Sequence, residues 1–360
     1  MRHQNISFAF LLIMFLFALI PVVDGQSTCS DGEWLIDGNC MSLDMPLSDG
    51  WHTIEPMGET RCAHDTDYRM WVRPGNEHVL LYFQGGGGCW NQETCEEGSS
   101  FYKQSAGRNE AISYRSGIFD FDNPDNPFSD YTMIFAPSCT GDVYMGSEVI
   151  DYGNDVIVHH QGYDNLMAAV DFTLDYVPEP ESVFTAGCSA GSVGSSIAVP
   201  FLIEAYPDTR VTQLGDSLGL IFDTETDMID LWGTPDFYTE ALAEFAPDLT
   251  NFTQHEYYVA LGQAYPDYHF AQFNYRTDNV QQRYFAIGAD NPAEFVEAGL
   301  LNSMAFISSG TENFSYYLAD ARSHCILPAA DFYSRGDDSI SARDWIAAIA
   351  NGETPDSVEE

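Results

Sequence analysis

Residues 182–207 read "SVFTAGCSAGSVGSSIAVPFLIEAYP", and no other stretch constrains the fold as much. A short β-like run, 182–187, leads straight into Ser189. A helix-like run rich in small residues, 192–207, follows and stops near Pro207. Gly187 and Gly191 stand two positions either side of the serine. That is the spacing of a nucleophile elbow, a tight strand-to-helix turn that lifts a hydroxyl out of a sheet. The same letters also arise by chance in loops rich in Gly and Ser. The rest of the chain therefore has to supply an oxyanion hole, an acid and a histidine in a consistent order.

The surroundings fit an α/β chain. β-like runs occupy 68–72, 78–84, 131–137 and 155–162, and again 209–217, 268–275 and 313–320. Helical spacing marks 164–177, with Leu166, Ala169, Val170, Leu174 and Val177 on one side, and also 291–309. Strands alternating with helices predict a mainly parallel central sheet with helices on both faces, an α/β-hydrolase-like fold. The acidic, aromatic stretch from about 218 to 265 is expected as a helical insertion or cap. No linker rich in Pro, Gly or Ser divides the chain, so 26–360 reads as a single catalytic domain behind a Cys- and turn-rich leading stretch, 26–60.

A serine hydroxyl is a weak nucleophile and needs a base, plus donors for the oxyanion that forms. In a sheet of this kind the chain order is nucleophile, acid, histidine. Only His255, His269 and His324 follow Ser189. His255 lies in the helical insertion and His269 at the start of a strand. His324 lies in a loop just after the last strand, where catalytic groups project. Order alone leaves two acids open: Asp278, after the second-last strand, and Asp216, after the strand that follows the elbow helix. Asp320 and Asp331 read as solvated side chains. The four glycines in "YFQGGGGCW" free backbone N–H groups to face a ligand, so Gly86, Gly87 and Ala190 are the candidate oxyanion donors. No C-x-x-C pair, P-loop lysine or G-x-G-x-x-G turn is present, so neither a metal nor a cofactor is expected.

Charge narrows the partners. Lys plus Arg number 13 against 55 Asp plus Glu, a formal net charge of −42. Such a surface repels nucleic acid, anionic membranes and fully de-esterified polyanions, and fits solubility in a salty or acidic medium. Arg2 and His3 precede the apolar run "FAFLLIMFLFALIPVV". At about 16 residues it is short for a membrane span of roughly 20, and it reads as a secretory signal peptide, 1–25, cut after Gly25. Eight cysteines in a secreted chain suggest disulfides. Cys89 and Cys95 are close enough to staple one loop. Cys188, beside Ser189, is expected as a buried free thiol, which would leave a second cysteine unpaired. Asn251 and Asn313 open N-x-S/T glycosylation acceptors.

Four stretches in order, "YFQGGGGCWNQETC", "GCSAGS", "YRTDNVQ" and "SHCIL", resemble the glycine loop, nucleophile, acid and histidine motifs of the pectin acetylesterase family, which also contains the animal carboxylesterase Notum. They run from about residue 80 to 327. Carried over residue by residue, the resemblance implies Ser189 as nucleophile, Asp278 rather than Asp216 as acid, and His324 as base. The chain departs from plant and animal members in two places. Gly87 and Gly88 replace a tryptophan of their loop, with Trp90 following the cysteine instead, and Gln84 replaces an acid before the glycines. This resembles a divergent microbial or algal branch.

The expectation is a secreted, monomeric serine esterase acting on O-acetyl groups of a polysaccharide such as pectin, with the short acyl chain inferred from the family. Two alternatives stand beside it. One is an acyl-protein or lipid esterase of Notum type. The other is a secreted glycan-binding protein that keeps the fold without catalysis.

Overall fold

The computed structural model describes residues 29–219, 228–246, 253–336 and 339–360. The expected signal peptide, 1–25, and the Asn251 acceptor lie outside them. No helix among the described residues is long and apolar enough to cross a membrane.

Eleven strands form one sheet. They are β1 (Glu33–Ile36), β2 (Asn39–Ser42), β3 (His52–Glu55), β4 (Met70–Arg73), β5 (Asn76–Phe83), β6 (Tyr131–Ala136), β7 (Ser182–Cys188), β8 (Arg210–Asp216), β9 (His269–Tyr275), β10 (Phe314–Ala319) and β11 (Val358–Glu359). The spatial order is β11-β10-β9-β8-β7-β5-β6-β4-β3-β1-β2. Strands from β11 to β6 in that order run parallel, and the pairs from β6 outward to β2 are antiparallel. β6 to β10 are almost fully buried, as strands covered on both faces must be, and β8 and β9 carry buried polar residues such as Gln213, Gln272 and Asn274.

The predicted run 155–162 is a strand over Ile157–His160, but it sits outside the sheet. It pairs with Glu148–Asp151 in a separate hairpin. Ile157 and Val149 remain exposed there, so this run has one buried side where a central strand has two. The leading stretch, read as turns, adds β1 to β3 to the antiparallel edge, with Cys29 bonded to Cys40 across the first hairpin.

Helices cover both faces unequally. On one lie α1 (Gly162–Tyr176), α2 (Ala190–Ala205), α3 (Gln254–Ala264) and, beyond the short α4 (Asn279–Phe285), α5 (Pro292–Gly310). Their Leu166, Ile197, Leu261 and Leu300 share a core with Val79, Leu81 and Val183 of the sheet. The opposite face packs Leu80, Tyr82, Phe184 and Phe273 against α6 (Ala342–Ala350) and the 3₁₀ turns Gly117–Phe119 and Ala330–Tyr333. Alternate residues of one strand thus serve opposite cores. α3 fell within the expected insertion. Its buried Tyr257, Tyr258 and Leu261 instead pack it on the sheet as the crossover between β8 and β9.

α2 tolerates Pro200 in its interior. Proline removes the amide that would bond the carbonyl four residues back. That carbonyl, of Ser196, accepts the Tyr257 hydroxyl at 3.3 Å, so α3 supplies what the helix lacks.

The strand order reverses between β5 and β7. From β5 the chain steps to β6 on one side, then returns to β7 on the other and moves outward. The carboxyl ends of strands at such a switch point form a crevice where α/β proteins bind ligands. Here the glycine loop leaves β5 and Ser189 leaves β7.

Candidate active site

Ser189 sits at φ 55°, ψ −122° between β7 and α2, a conformation costly for a residue with a side chain. The neighbours explain how it is held. A Cβ on Gly187 would lie 2.0 Å from the Gly191 carbonyl oxygen, and one on Gly191 would lie 2.0 Å from that of Phe83. Both glycines are therefore required by close backbone approach. The Ser189 amide donates to the Asp216 carbonyl at 2.7 Å, and the Ser192 amide donates to the Ser189 carbonyl at 2.7 Å.

The candidate base, His324, lines the same pocket as the serine. His324 Nδ1 is 2.7 Å from Asp278 Oδ2. A carboxylate only accepts, so Nδ1 carries the proton and Nε2 is the basic nitrogen of the neutral ring. Asp278 caps α4 and is fully buried. Its Oδ1 accepts the amides of Val280 and Gln281 at 2.8 and 3.0 Å, and Gln281 Nε2 donates to Oδ2 at 3.2 Å. Ser189 and His324 line one pocket of about 70 Å³.

Asp216 does a different job. Its buried carboxylate accepts the amides of Ile326 and Leu327 at 3.1 and 2.9 Å and the Ser217 hydroxyl at 2.9 Å. Burial pushes its pKa up to about 6 against the pull of those donors and of His324. One residue thus ties the elbow, through its carbonyl, to the loop that carries His324, through its side chain.

The glycine loop lies along the elbow. A Cβ on Gly85 would come within 2.9 Å of the Cys188 carbonyl oxygen. The loop is pinned by Lys103 N donating to Gly86 O at 2.8 Å and Gly88 N to Phe101 O at 3.2 Å. The amides of Gly86 and Gly87 donate to no protein acceptor among the described residues. The Ala190 amide opens α2, where the first N–H groups have no partner in their own helix. Gly87 and Ala190 line the pocket with Gly88, whereas Gly86 is not among its lining residues. Gly87 has φ +69°, and a Cβ there would meet the Phe101 carbonyl at 2.1 Å.

At the foot of this loop Gln84 Nε2 donates to Glu110 Oε1 and Tyr114 Oη, each at 2.8 Å. The chain's single lysine, Lys103, places Nζ 3.3 Å from Glu110 Oε2. Burial lowers the Lys103 pKa while Glu110 opposes the shift.

The pocket walls are largely apolar. Trp90 lines them with Val143, Leu218, Trp232, Tyr284 and Phe285. Trp90 meets both Phe101 and Tyr284 edge to face, at 5.7 and 6.4 Å between ring centroids. A bulky indole thus reaches this wall from beyond the cysteine although the glycine loop carries none. Sequence reading missed Val143, Leu218, Trp232 and Tyr284 as pocket residues. They come from four separate segments, and only the fold brings them together.

Cys188 is not a free thiol. It is bonded to Cys325, so the expectation of two unpaired cysteines was wrong, and the other pairs are Cys62–Cys139 and Cys89–Cys95. Asp216 draws the 325–327 backbone to the end of β8, next to the end of β7, and this brings the Cys325 sulfur back to the elbow. Among the described residues, two groups bring metal-ligating side chains together, Cys188, His324 and Cys325, and Cys89, Cys95 and His160. In each the sulfurs are bonded to one another, so they are not the thiolates that metals bind.

Of the other candidates, His269 is buried at the base of β9 with Nε2 2.9 Å from Ser315 Oγ. His255 packs edge to face on Phe306 at 4.6 Å. Neither lines the pocket. Asn313 Nδ2 donates to the Tyr265 and Tyr268 carbonyls at 3.0 and 2.7 Å.

Comparison with known proteins meets this geometry part-way along the chain. The pectinacetylesterase family profile matches residues 69–242. Pectin acetylesterase 4 of Arabidopsis thaliana is 23% identical over 163 residues, 45% of this chain and 39% of that relative. The match thus spans well under half of the relative's own length. The profile covers the glycine loop and the Ser189 elbow and stops before Asp278 and His324. Over the part that carries both matched features, on a sheet of the right class, the chain is thus similar to the pectin acetylesterase family.

Proposed function

We propose that this protein is a secreted serine esterase that hydrolyses O-acyl esters, with O-acetyl groups on a polysaccharide such as pectin as the substrate. The supporting observation is the hydrogen bond from His324 to buried Asp278, with that histidine and the elbow serine on one pocket. In this reading Ser189 Oγ attacks the acyl carbonyl and His324 Nε2 takes its proton. Asp278 holds the ring in that tautomer and stabilises the imidazolium. Amides of the glycine loop, Gly86 and Gly87, and of Ala190 at the head of α2 receive the oxyanion. The histidine then protonates the departing alcohol. Water repeats the sequence on the acyl-enzyme, releases the acid and restores Ser189. The reaction needs no cofactor. The disulfides fit an oxidising compartment.

Replacing Ser189 with Ala should lower p-nitrophenyl acetate turnover by at least about 10³-fold, leaving only what the remaining site supplies. Undiminished turnover by a folded S189A protein would sink the reading. A folded wild type that resists a fluorophosphonate probe yet retains acetylated glycan would instead favour a binding protein.

The aromatic and aliphatic walls support a second reading, an esterase for longer acyl chains on a protein or lipid. A series of p-nitrophenyl esters from acetate to octanoate separates the two. An optimum at acetate supports the first, and one beyond butyrate supports the second.

A further inference from the structure

Among the described residues, nine other than glycine have positive φ. Four are Asp37, Asp65, Asn154 and Asp155, types that adopt this conformation at modest cost. The other five are Val143, Tyr144, Ser189, Ser217 and Cys325, and they gather round the pocket. Strained backbone collects where surrounding structure over-determines it and function uses it.

In four of the five the side chain makes a bond or bears the hydroxyl of the elbow. Ser189 is that elbow serine. Ser217 Oγ donates to the Asp216 carboxylate and accepts the Cys325 amide at 2.9 Å. Cys325 holds Cys188. Tyr144 Oη lies 2.8 Å from the Gln84 carbonyl oxygen and 2.9 Å from that of Ala136.

Val143 has no polar atom in its side chain. It is β-branched and sits at φ +48°, where such a residue is a genuine outlier. Its side chain lines the pocket with Ser189, and its Cγ1 lies 3.7 Å from where a Cβ on Gly88 would stand. The loop around it is clamped. The Asp142 carboxylate accepts Thr140 Oγ1 at 2.7 Å, the Tyr144 amide at 3.2 Å and the Gly162 amide at 2.7 Å. The Gly141 carbonyl accepts the Cys89 amide at 2.8 Å, and Cys139 is bonded to Cys62. The side chain that this strained residue presents to the pocket is wholly apolar.

We propose that Val143 is a specificity-determining residue, held in a strained conformation so that its methyl groups wall the space for the acyl group beside Ser189. This rests on the esterase reading above. Removing the wall should admit longer chains, since one methylene in an apolar pocket changes discrimination by roughly 10- to 200-fold.

The test compares wild type, Val143→Ala and Val143→Gly on p-nitrophenyl acetate, butyrate and octanoate, with thermal unfolding of each. In both variants the kcat/KM ratio of butyrate or octanoate to acetate should rise by about tenfold or more. The Gly variant should also melt above the Ala variant, the reverse of their usual order, because only glycine relieves the strain. Unchanged ratios in folded variants beside an active wild type would overturn the proposal while leaving the esterase reading intact. An Ala variant that melts above the Gly variant would overturn the strain on which it rests. If wild type hydrolyses no ester in a Ser189-dependent way, the esterase reading fails and the proposal goes with it.

Discussion

A buried histidine without a counter-charge is a pH sensor by default, and His269 is one. Burial pulls its pKa down to about 4, below the roughly 6.5 of an unfolded chain. Its stabilising contribution is therefore complete above the unfolded value and is lost as pH falls through the folded one. Replacing His269 with Gln should destabilise the protein near neutral pH. That cost should shrink by on the order of 1–2 kcal/mol between about pH 7 and about pH 5. Urea unfolding of both proteins at the two pH values checks this, and a cost that stays constant would contradict it. At this scale the site was unevenly legible. Ser189 stood out as a candidate because a tight elbow needs glycine at fixed spacing, and His324 because few histidines follow it; both line one pocket. Asp278 and Asp216 both follow strands, so order could not separate them. The structure puts His324 Nδ1 against Asp278, whereas Asp216 accepts the amides of Ile326 and Leu327 and the Ser217 hydroxyl. The thiol expected at Cys188 failed because its partner is 137 residues away, beyond any local signal.

Strand ends at the switch point carry the candidate machinery, and a few links hold their loops in register. The Cys188–Cys325 disulfide is the shortest of these links, since each cysteine adjoins a candidate catalytic residue. It closes a separation of 137 residues, and its removal should cost about 3–5 kcal/mol of stability. Because the lost bond also frees the His324 loop, turnover should fall roughly 10- to 100-fold even where the protein stays folded. The check is kcat of the C188A/C325A double variant on p-nitrophenyl acetate, measured well below its melting temperature. Full turnover would show that Asp216 and Asp278 alone position the loop. The long β and α elements were readable because burial on both faces leaves continuous apolar runs and helical burial leaves a period. The four-residue edge strands and α6 were not. The former are short, half-exposed and punctuated by turn residues. α6 spans only Ala342–Ala350, about two and a half turns.

Across the whole molecule, a formal charge of −42 works against compactness through self-repulsion. Salt shortens the reach of that repulsion, from about 30 Å at 0.01 M to about 3 Å at 1 M. The melting temperature should rise by roughly 5 °C over that range. Equal melting temperatures in calorimetry at the two salt concentrations would show that the acidic side chains are too well spaced to repel. The same composition leaves one lysine in 360 residues, and Lys103 stands behind the glycine loop, bonded to Gly86 through its backbone and to Glu110 through its side chain. Apart from the chain's own α-amino group, a reagent that acylates amines meets a single target in this protein. Its rate of modification would report how often Nζ leaves Glu110, so the molecule carries its own footprinting probe beside its candidate active site.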